Sequence, residues 1–204
     1  MPDRTRLVVF DMDGVLFRWS KRQRLANLVR LTGLPAERIH VAIWASGFDD
    51  ACDRGDYDAN ACHRELCARL GVPLSVDDWI GARTATMRPK QAVWRLVAQV
   101  RQRVPVALLS NNSALLKREL PRRFPQVAEL FGANLFFSSD FRLSKPNPEI
   151  FRRIAARLGT VPSATAFVDD SKEYVAGAIE AGLQAHHFTT ARALQGFLGR
   201  CGLL

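Results

Sequence analysis

The chain has 204 residues, 48% hydrophobic and 24% charged, a composition that excludes disorder and suits one domain burying roughly 70% of its unfolded surface. No apolar run approaches the ~20 residues of a membrane helix, so no membrane association is expected. Lys and Arg number 29 against 20 Asp and Glu, a formal charge of +9, which points to an anionic partner.

Five of the basic residues are Lys (Lys21, Lys90, Lys117, Lys145 and Lys172) and the rest are Arg, spread from Arg4 to Arg200. A polynucleotide surface needs positive charge gathered on one face. The even spread instead favours Arg on solvated helix faces, and a nucleic-acid partner is not expected. Cys52, Cys62, Cys67 and Cys201 lack the paired spacing of a zinc site and read as reduced thiols. The start, MPDRTRLVVFD, has no apolar core of signal-peptide length, so a cytoplasmic address is expected. Nothing in the sequence sets an oligomeric state.

In chain order, RLVVF (6–10) is short, apolar and β-branched, the pattern of a strand buried on both faces. VPVALLS (104–110), ANLFFSS (133–139) and ATAFVDD (164–170) repeat it, and LQAHHF (183–188) makes a weaker fifth run. Helical spacing fills the intervals at 93–100, 114–120, 150–158, 175–181 and 193–198. Strands alternating with helices imply a parallel sheet with crossover helices. The segment 17–88 breaks the rhythm. It holds no convincing strand run, only helical patterns separated by turn signals at Gly33-Leu34-Pro35, Gly55-Asp56 and Gly71-Val72-Pro73, with Asp58 and Ser75 placed to cap two of the helices. The expected architecture is an α/β Rossmann-like parallel sheet core, 1–16 and 89–204, carrying a small α-helical cap, 17–88, after the first strand.

Ligands in such sheets bind at the carboxyl ends of the strands. The polar residues there are Asp11 and Asp13, then Ser110, Asn111 and Asn112, then Asp140 and Lys145, then Asp169 and Asp170. Clustered carboxylates repel unless a divalent cation neutralises them, and all-oxygen ligation favours a hard ion such as magnesium. Magnesium, a lysine and a hydroxyl together suit a phosphoryl group.

VVFDMDGVLF, ALLSNNS, SKPNPEIF and FVDDS, in this order, resemble the four signature motifs of the haloacid dehalogenase superfamily. The likeness covers essentially the whole chain, and the 17–88 segment is similar to the family's helical cap, inserted after the first motif. The Asp-Asp of the last motif and the Ser-Asn pair are similar to those of phosphatases acting on glucose 1-phosphate and of the phosphatase domain of soluble epoxide hydrolase.

The resemblance implies that Asp11 is the nucleophile, forming an aspartyl-phosphate, and that Asp13 is the general acid and base. It implies magnesium held by Asp11, by Asp13 through its backbone carbonyl and by Asp170, with Asp169 auxiliary. Ser110 and the Asn111 backbone are expected to bind phosphate oxygens, and Lys145 to offset charge on nucleophile and phosphoryl group. One departure is Asn147, where the family's motif has an acid two residues after the lysine. The reading is a magnesium-dependent hydrolase of a small phosphorylated metabolite, a sugar phosphate for instance. The alternatives are a phosphomutase, then a haloacid dehalogenase, then a basic nucleic-acid-binding module. Asp13 separates phosphate from carbon–halogen chemistry, because a halide leaves without a proton. Trp44, Phe48, Asp49, Asp50 and Arg54 are candidate substrate readers in the cap, or in the case of Trp44 and Phe48 simply core. His186 and His187 should point to opposite faces of a strand and not form a metal pair.

Overall fold

A computed structural model describes residues 4–204; residues 1–3, where the first core segment begins, lie outside the described residues. In chain order the elements are β1 (Leu7–Phe10), β2 (Phe17–Arg18), α1 (Lys21–Thr32), α2 (Ala36–His40) continuing into a π-helical turn (Val41–Ala45), α3 (Phe48–Arg54), α4 (Ala59–Leu70), α5 (Val76–Thr84) and β3 (Arg88–Pro89). They continue with α6 (Gln91–Arg101), β4 (Val106–Ser110), α7 (Ala114–Arg123), α8 (Pro125–Phe131), β5 (Leu135–Phe137), α9 (Pro148–Arg157), β6 (Thr165–Asp169), α10 (Lys172–Glu180), β7 (Gln184–His187) and α11 (Ala191–Arg200).

All five strand-like runs enter one parallel sheet, in the order β5-β4-β1-β6-β7. β1 is central because all four of its side chains are apolar and buried. Its alternate residues serve two cores. Val8 and Phe10 pack with Val93, Val97, Val127 and Leu194 of α6, α8 and α11. Leu7 and Val9 pack with Ile150, Ile154 and Ala178 of α9 and α10 on the other face. From β1 the chain builds outward through β4 to β5, then returns to lay β6 on the opposite side of β1. That reversal opens a crevice beyond the carboxyl ends of β1 and β6.

The helices α1 to α5 form an insert between β1 and β4, and their apolar residues join the first core: Leu28, Ile39, Ile43, Leu66 and Trp79 belong to the same buried cluster as Val8 and Phe10. Asp58 and Ser75 cap α4 and α5 as expected, accepting from Asn60 and Ala61 N and from Asp78 N respectively. Two features correct the sequence reading. The ends of the 17–88 segment do carry strand: β2 and β3 pair antiparallel, Phe17 with Pro89 and Arg18 with Arg88, so chain entry and exit lie side by side. Such two-residue strands have no periodicity to detect. Cys52 and Cys62 form a disulfide between α3 and α4, with Cα atoms 6.0 Å apart, while Cys67 and Cys201 are free. That pairing follows from helix packing, not from spacing along the chain.

Gly177 in α10 packs directly on the carbonyl of Pro146, and a Cβ there would overlap it. Gly→Ala ordinarily favours a helix by about 1 kcal/mol. Here the clash reverses the sign: Gly177→Ala is expected to cost about 1–3 kcal/mol by overpacking, read as a lower midpoint in urea unfolding.

Candidate active site

The crevice holds a cavity of about 570 Å³, and Asp11, Asp13, Ser110, Asn111, Lys145, Asp169 and Asp170 all line it. These seven residues come from the ends of β1, β4 and β6 and from the loop before α9. The residues to which the motifs assign a role therefore meet around one cavity.

Lys145 sits at its centre, 2% exposed, and its ammonium uses three acceptors: Asp11 Oδ1 at 2.5 Å, Asp169 Oδ2 at 2.6 Å and the Leu109 carbonyl at 3.2 Å. The other oxygen of Asp169 accepts from Ser171 N at 2.8 Å. Asp169 is thus fully engaged inside the protein, whereas its neighbour Asp170 is exposed to the cavity. Burial, reinforced by repulsion from Asp169 and Asp13, holds the Asp11 carboxyl well above the usual carboxylate range, against the pull of Lys145. Burial opposes the charge on Lys145, but Asp11 and Asp169 outweigh it and raise its pKa above the ordinary lysine value.

The chain turns sharply after Asp11. Leu16 N and Phe17 N both donate to the Met12 carbonyl at 3.0 Å, and Gly14 N donates to Phe17 O at 2.8 Å. Gly14 has φ of +84°, and a Cβ there would fall on the Asp170 carboxylate, so only glycine lets these two loops meet. Oxygen atoms of Asp11, Asp169 and Asp170 lie within 4.8 Å of one another. An all-oxygen, acid-rich cradle of this kind fits a hard divalent cation.

On the β4 side, both ends of the Asn111 amide are used on the Lys145 backbone, accepting from its N at 3.0 Å and donating to its O at 2.9 Å. Ser110 Oγ accepts from Asn112 Nδ2 at 2.8 Å, which leaves its own hydrogen to donate. Asn147, the departure from the family pattern, caps α9 by accepting from Glu149 N at 2.9 Å.

Several named residues lie elsewhere. Asp140 turns back to Phe137 N and to Lys117 Nζ, 2.9 and 2.7 Å away, and is not part of the cavity. Phe48 is core, Trp44 donates to Asp49 at 3.0 Å, and Arg54 pairs with Asp56 at 2.8 Å. None of Trp44, Phe48, Asp49, Asp50 and Arg54 lines the cavity. His186 stacks on Phe197, while His187 donates to the Asp170 carbonyl at 3.0 Å. Asn112, named with the strand-end residues, also lines the cavity, and the residues that complete it and that sequence reasoning missed are Arg18, Trp19, Lys90 and Tyr174. Lys90 donates to the Gly14 carbonyl, and burial lowers its pKa despite attraction to Asp170. Arg83, from α5, pairs with Asp13. Asn112 lies within the second motif and Tyr174 three residues beyond the fourth, a positional signal that Arg83 lacked.

The model of haloacid dehalogenase-like hydrolases matches residues 5–182. The chain belongs to this family. Among curated relatives of this hydrolase, a sesquiterpene phosphatase of Aspergillus oryzae is 26% identical over 92% of both chains. A phosphatase of Mycobacterium tuberculosis is 29% identical, covering 88% of this chain and 85% of that one. The fold is similar to that of a HAD family enzyme of Bacteroides thetaiotaomicron in complex with magnesium and inorganic phosphate, with a TM-score of 0.78 at 20% identity, over 91% and 94% of the two chains. It is also similar to a 2-haloacid dehalogenase of Pseudomonas syringae, with a TM-score of 0.66 at 16% identity, over 96% and 99%. These structures show a shared fold.

Removing the central cation strands two buried carboxylates. Lys145→Met is expected to cost about 3–5 kcal/mol at pH 7 in chelator, measured by urea unfolding. Lys145 is what pulls the raised Asp11 pKa down, so without it that pKa rises further, and the deficit is full above it and shrinks as pH falls through it.

Proposed function

We propose that the protein is a magnesium-dependent phosphomonoester hydrolase acting on a small phosphorylated metabolite, sugar phosphates included. The observation that carries this reading is Asp13, a second carboxylate reaching the same cavity as Asp11: phosphate ester cleavage needs a proton for the leaving oxygen, and displacement of a halide does not. The two phosphatase relatives and the magnesium- and phosphate-bound structural neighbour support it. The volume of about 570 Å³ suits a small ester rather than a polymer.

In this reading Asp11 attacks phosphorus through Oδ2, Oδ1 being tied to Lys145. A P–O bond forms to Asp11, the P–O bond to the leaving group breaks, and Asp13 transfers its proton to the departing oxygen, releasing an alcohol. Water then attacks the aspartyl-phosphate, passes a proton to Asp13, and leaves inorganic phosphate and free Asp11. Ser110 Oγ and the Asn111 backbone hold the phosphoryl oxygens, and Lys145 keeps charge balance as negative charge shifts between nucleophile and phosphoryl group. Asp11, Asp170 and the Asp13 carbonyl would hold magnesium, with Asp169 beside them. The ion supplies positive charge that offsets the carboxylates and polarises the phosphoryl group. The helices α1 to α5 would act as the cap that excludes water from this space.

Hydrolysis of p-nitrophenyl phosphate with magnesium is expected, abolished by chelation and in Asp11→Asn; full activity of that variant would sink the assignment. Magnesium at a hundred times its Kd should stabilise the fold by about 2.7 kcal/mol, seen as a higher Tm in scanning fluorimetry and absent in Asp170→Asn.

A further inference from the structure

We propose that the substrate carries a second anionic group, a carboxylate or a phosphate, which Arg18 and Arg88 hold beside the phosphoester; the proposal rests on the phosphatase reading and narrows its substrate class. A second cavity, of about 480 Å³, adjoins the first, and Arg18 and Lys90 line both. The two differ in charge. Asp11, Asp13, Asp169 and Asp170 line the first, whereas the charged side chains lining the second are Arg18, Arg88 and Lys90, with no acid among its described residues. An anion reaching the second cavity therefore meets fixed positive charge without help from a metal ion.

The two arginines are placed at a cost to the fold. β2 and β3 set Arg18 directly opposite Arg88, and like charges directly opposite one another destabilise a strand pair. Other exposed arginines find acids, as Arg69 does with Glu65 and Arg153 with Glu149. These two do not. Arg18 is exposed and has no hydrogen bond or ion pair among the described residues. Arg88, also exposed, donates from Nη1 alone, to the Ala85 and Met87 carbonyls, each at 2.9 Å, so Nε and Nη2 stay available. Lys90 adds positive charge to the shared wall, but its ammonium is already engaged, donating to the Gly14 carbonyl and lying 4.6 Å over the Phe188 ring. The free forks are those of the arginines. Planar guanidinium groups match carboxylate and phosphate oxygens in pairs, and an anion between Arg18 and Arg88 would relieve their repulsion. Buried Phe188 and Val93 also border this cavity, an apolar wall for the carbon chain that joins the two anionic ends.

The test measures kcat/KM with magnesium, at fixed ionic strength, for matched esters across a series of chain lengths: n-alkyl phosphates, ω-carboxyalkyl phosphates and alkane-α,ω-diol bisphosphates. The wild type is expected to favour an ester with the second anion over the plain one by about tenfold or more at its best length, the size of one charge-assisted contact. Arg18→Gln and Arg88→Gln are each expected to remove most of that advantage. The ratio between esters is independent of the folded fraction, and the larger gain, carboxylate or phosphate, identifies the group. Equal kcat/KM for plain and substituted esters at every length, or an advantage that both variants keep in full, would overturn the second-anion site and leave the phosphatase reading standing. No hydrolysis of any of these esters or of p-nitrophenyl phosphate would overturn the phosphatase reading, and the proposal with it. If Arg18→Gln yields no soluble protein, the same ratio in Arg88→Gln decides.

Discussion

One buried ammonium organises this protein. Lys145 lies between Asp11 and Asp169 with every donor in use, and the topology exists around that contact. β1 and β6 are neighbours, so their last residues present two carboxylates side by side, while the lysine arrives from a separate loop. Each buried charge costs several kcal/mol in lost hydration, repaid only by close pairing and full hydrogen bonding. Even so, Asp11 keeps a raised pKa, because burial and the neighbouring Asp169 and Asp13 outweigh the lysine. Stability alone would favour apolar residues here, so the arrangement makes sense as a site prepared for a cation and an anion together.

The insert and the sheet meet through polar contacts as well as shared apolar core. Ser138, just after β5, donates to the Asp53 carbonyl of α3 at 2.6 Å and accepts from Asn112 N at 3.1 Å. Gly55 packs against the Ser139 backbone, where a Cβ would clash. Together with the Arg83–Asp13 pair, these contacts run from α3 and α5 to the loop that carries Ser110 and Asn111. A change in how the insert packs would therefore reach Ser110 through Asn112 and Asp13 through Arg83.

The strands were legible because a strand buried on both faces has a short, β-branched signature, and the seven cavity residues were legible because they sit at the ends of those strands in recognisable motifs. What escaped depended on tertiary contact. Arg83 reads as one more solvated arginine on a helix, and nothing local says that its helix lies over the crevice. Asp140 ends a strand like the other acids, yet bends back to its own turn. The disulfide and the β2–β3 ribbon likewise arise only once distant segments pack. The charge of +9 now divides: Arg69–Glu65 and Arg153–Glu149 are i,i+4 pairs on helix surfaces, each worth about 0.3–0.5 kcal/mol. Lys145, Lys90, Arg18 and Arg83 stand at or behind the cavity instead.

The central claim is that Asp11 becomes transiently phosphorylated. Rapid acid quench during turnover, followed by proteolysis after Arg6 and Arg18 and mass analysis, tests it directly. The account expects the peptide Leu7–Arg18 to carry one phosphoryl group on Asp11 during turnover and none in Asp11→Asn. Turnover with that peptide unmodified at every quench time, or with the phosphoryl group on another residue, would contradict it.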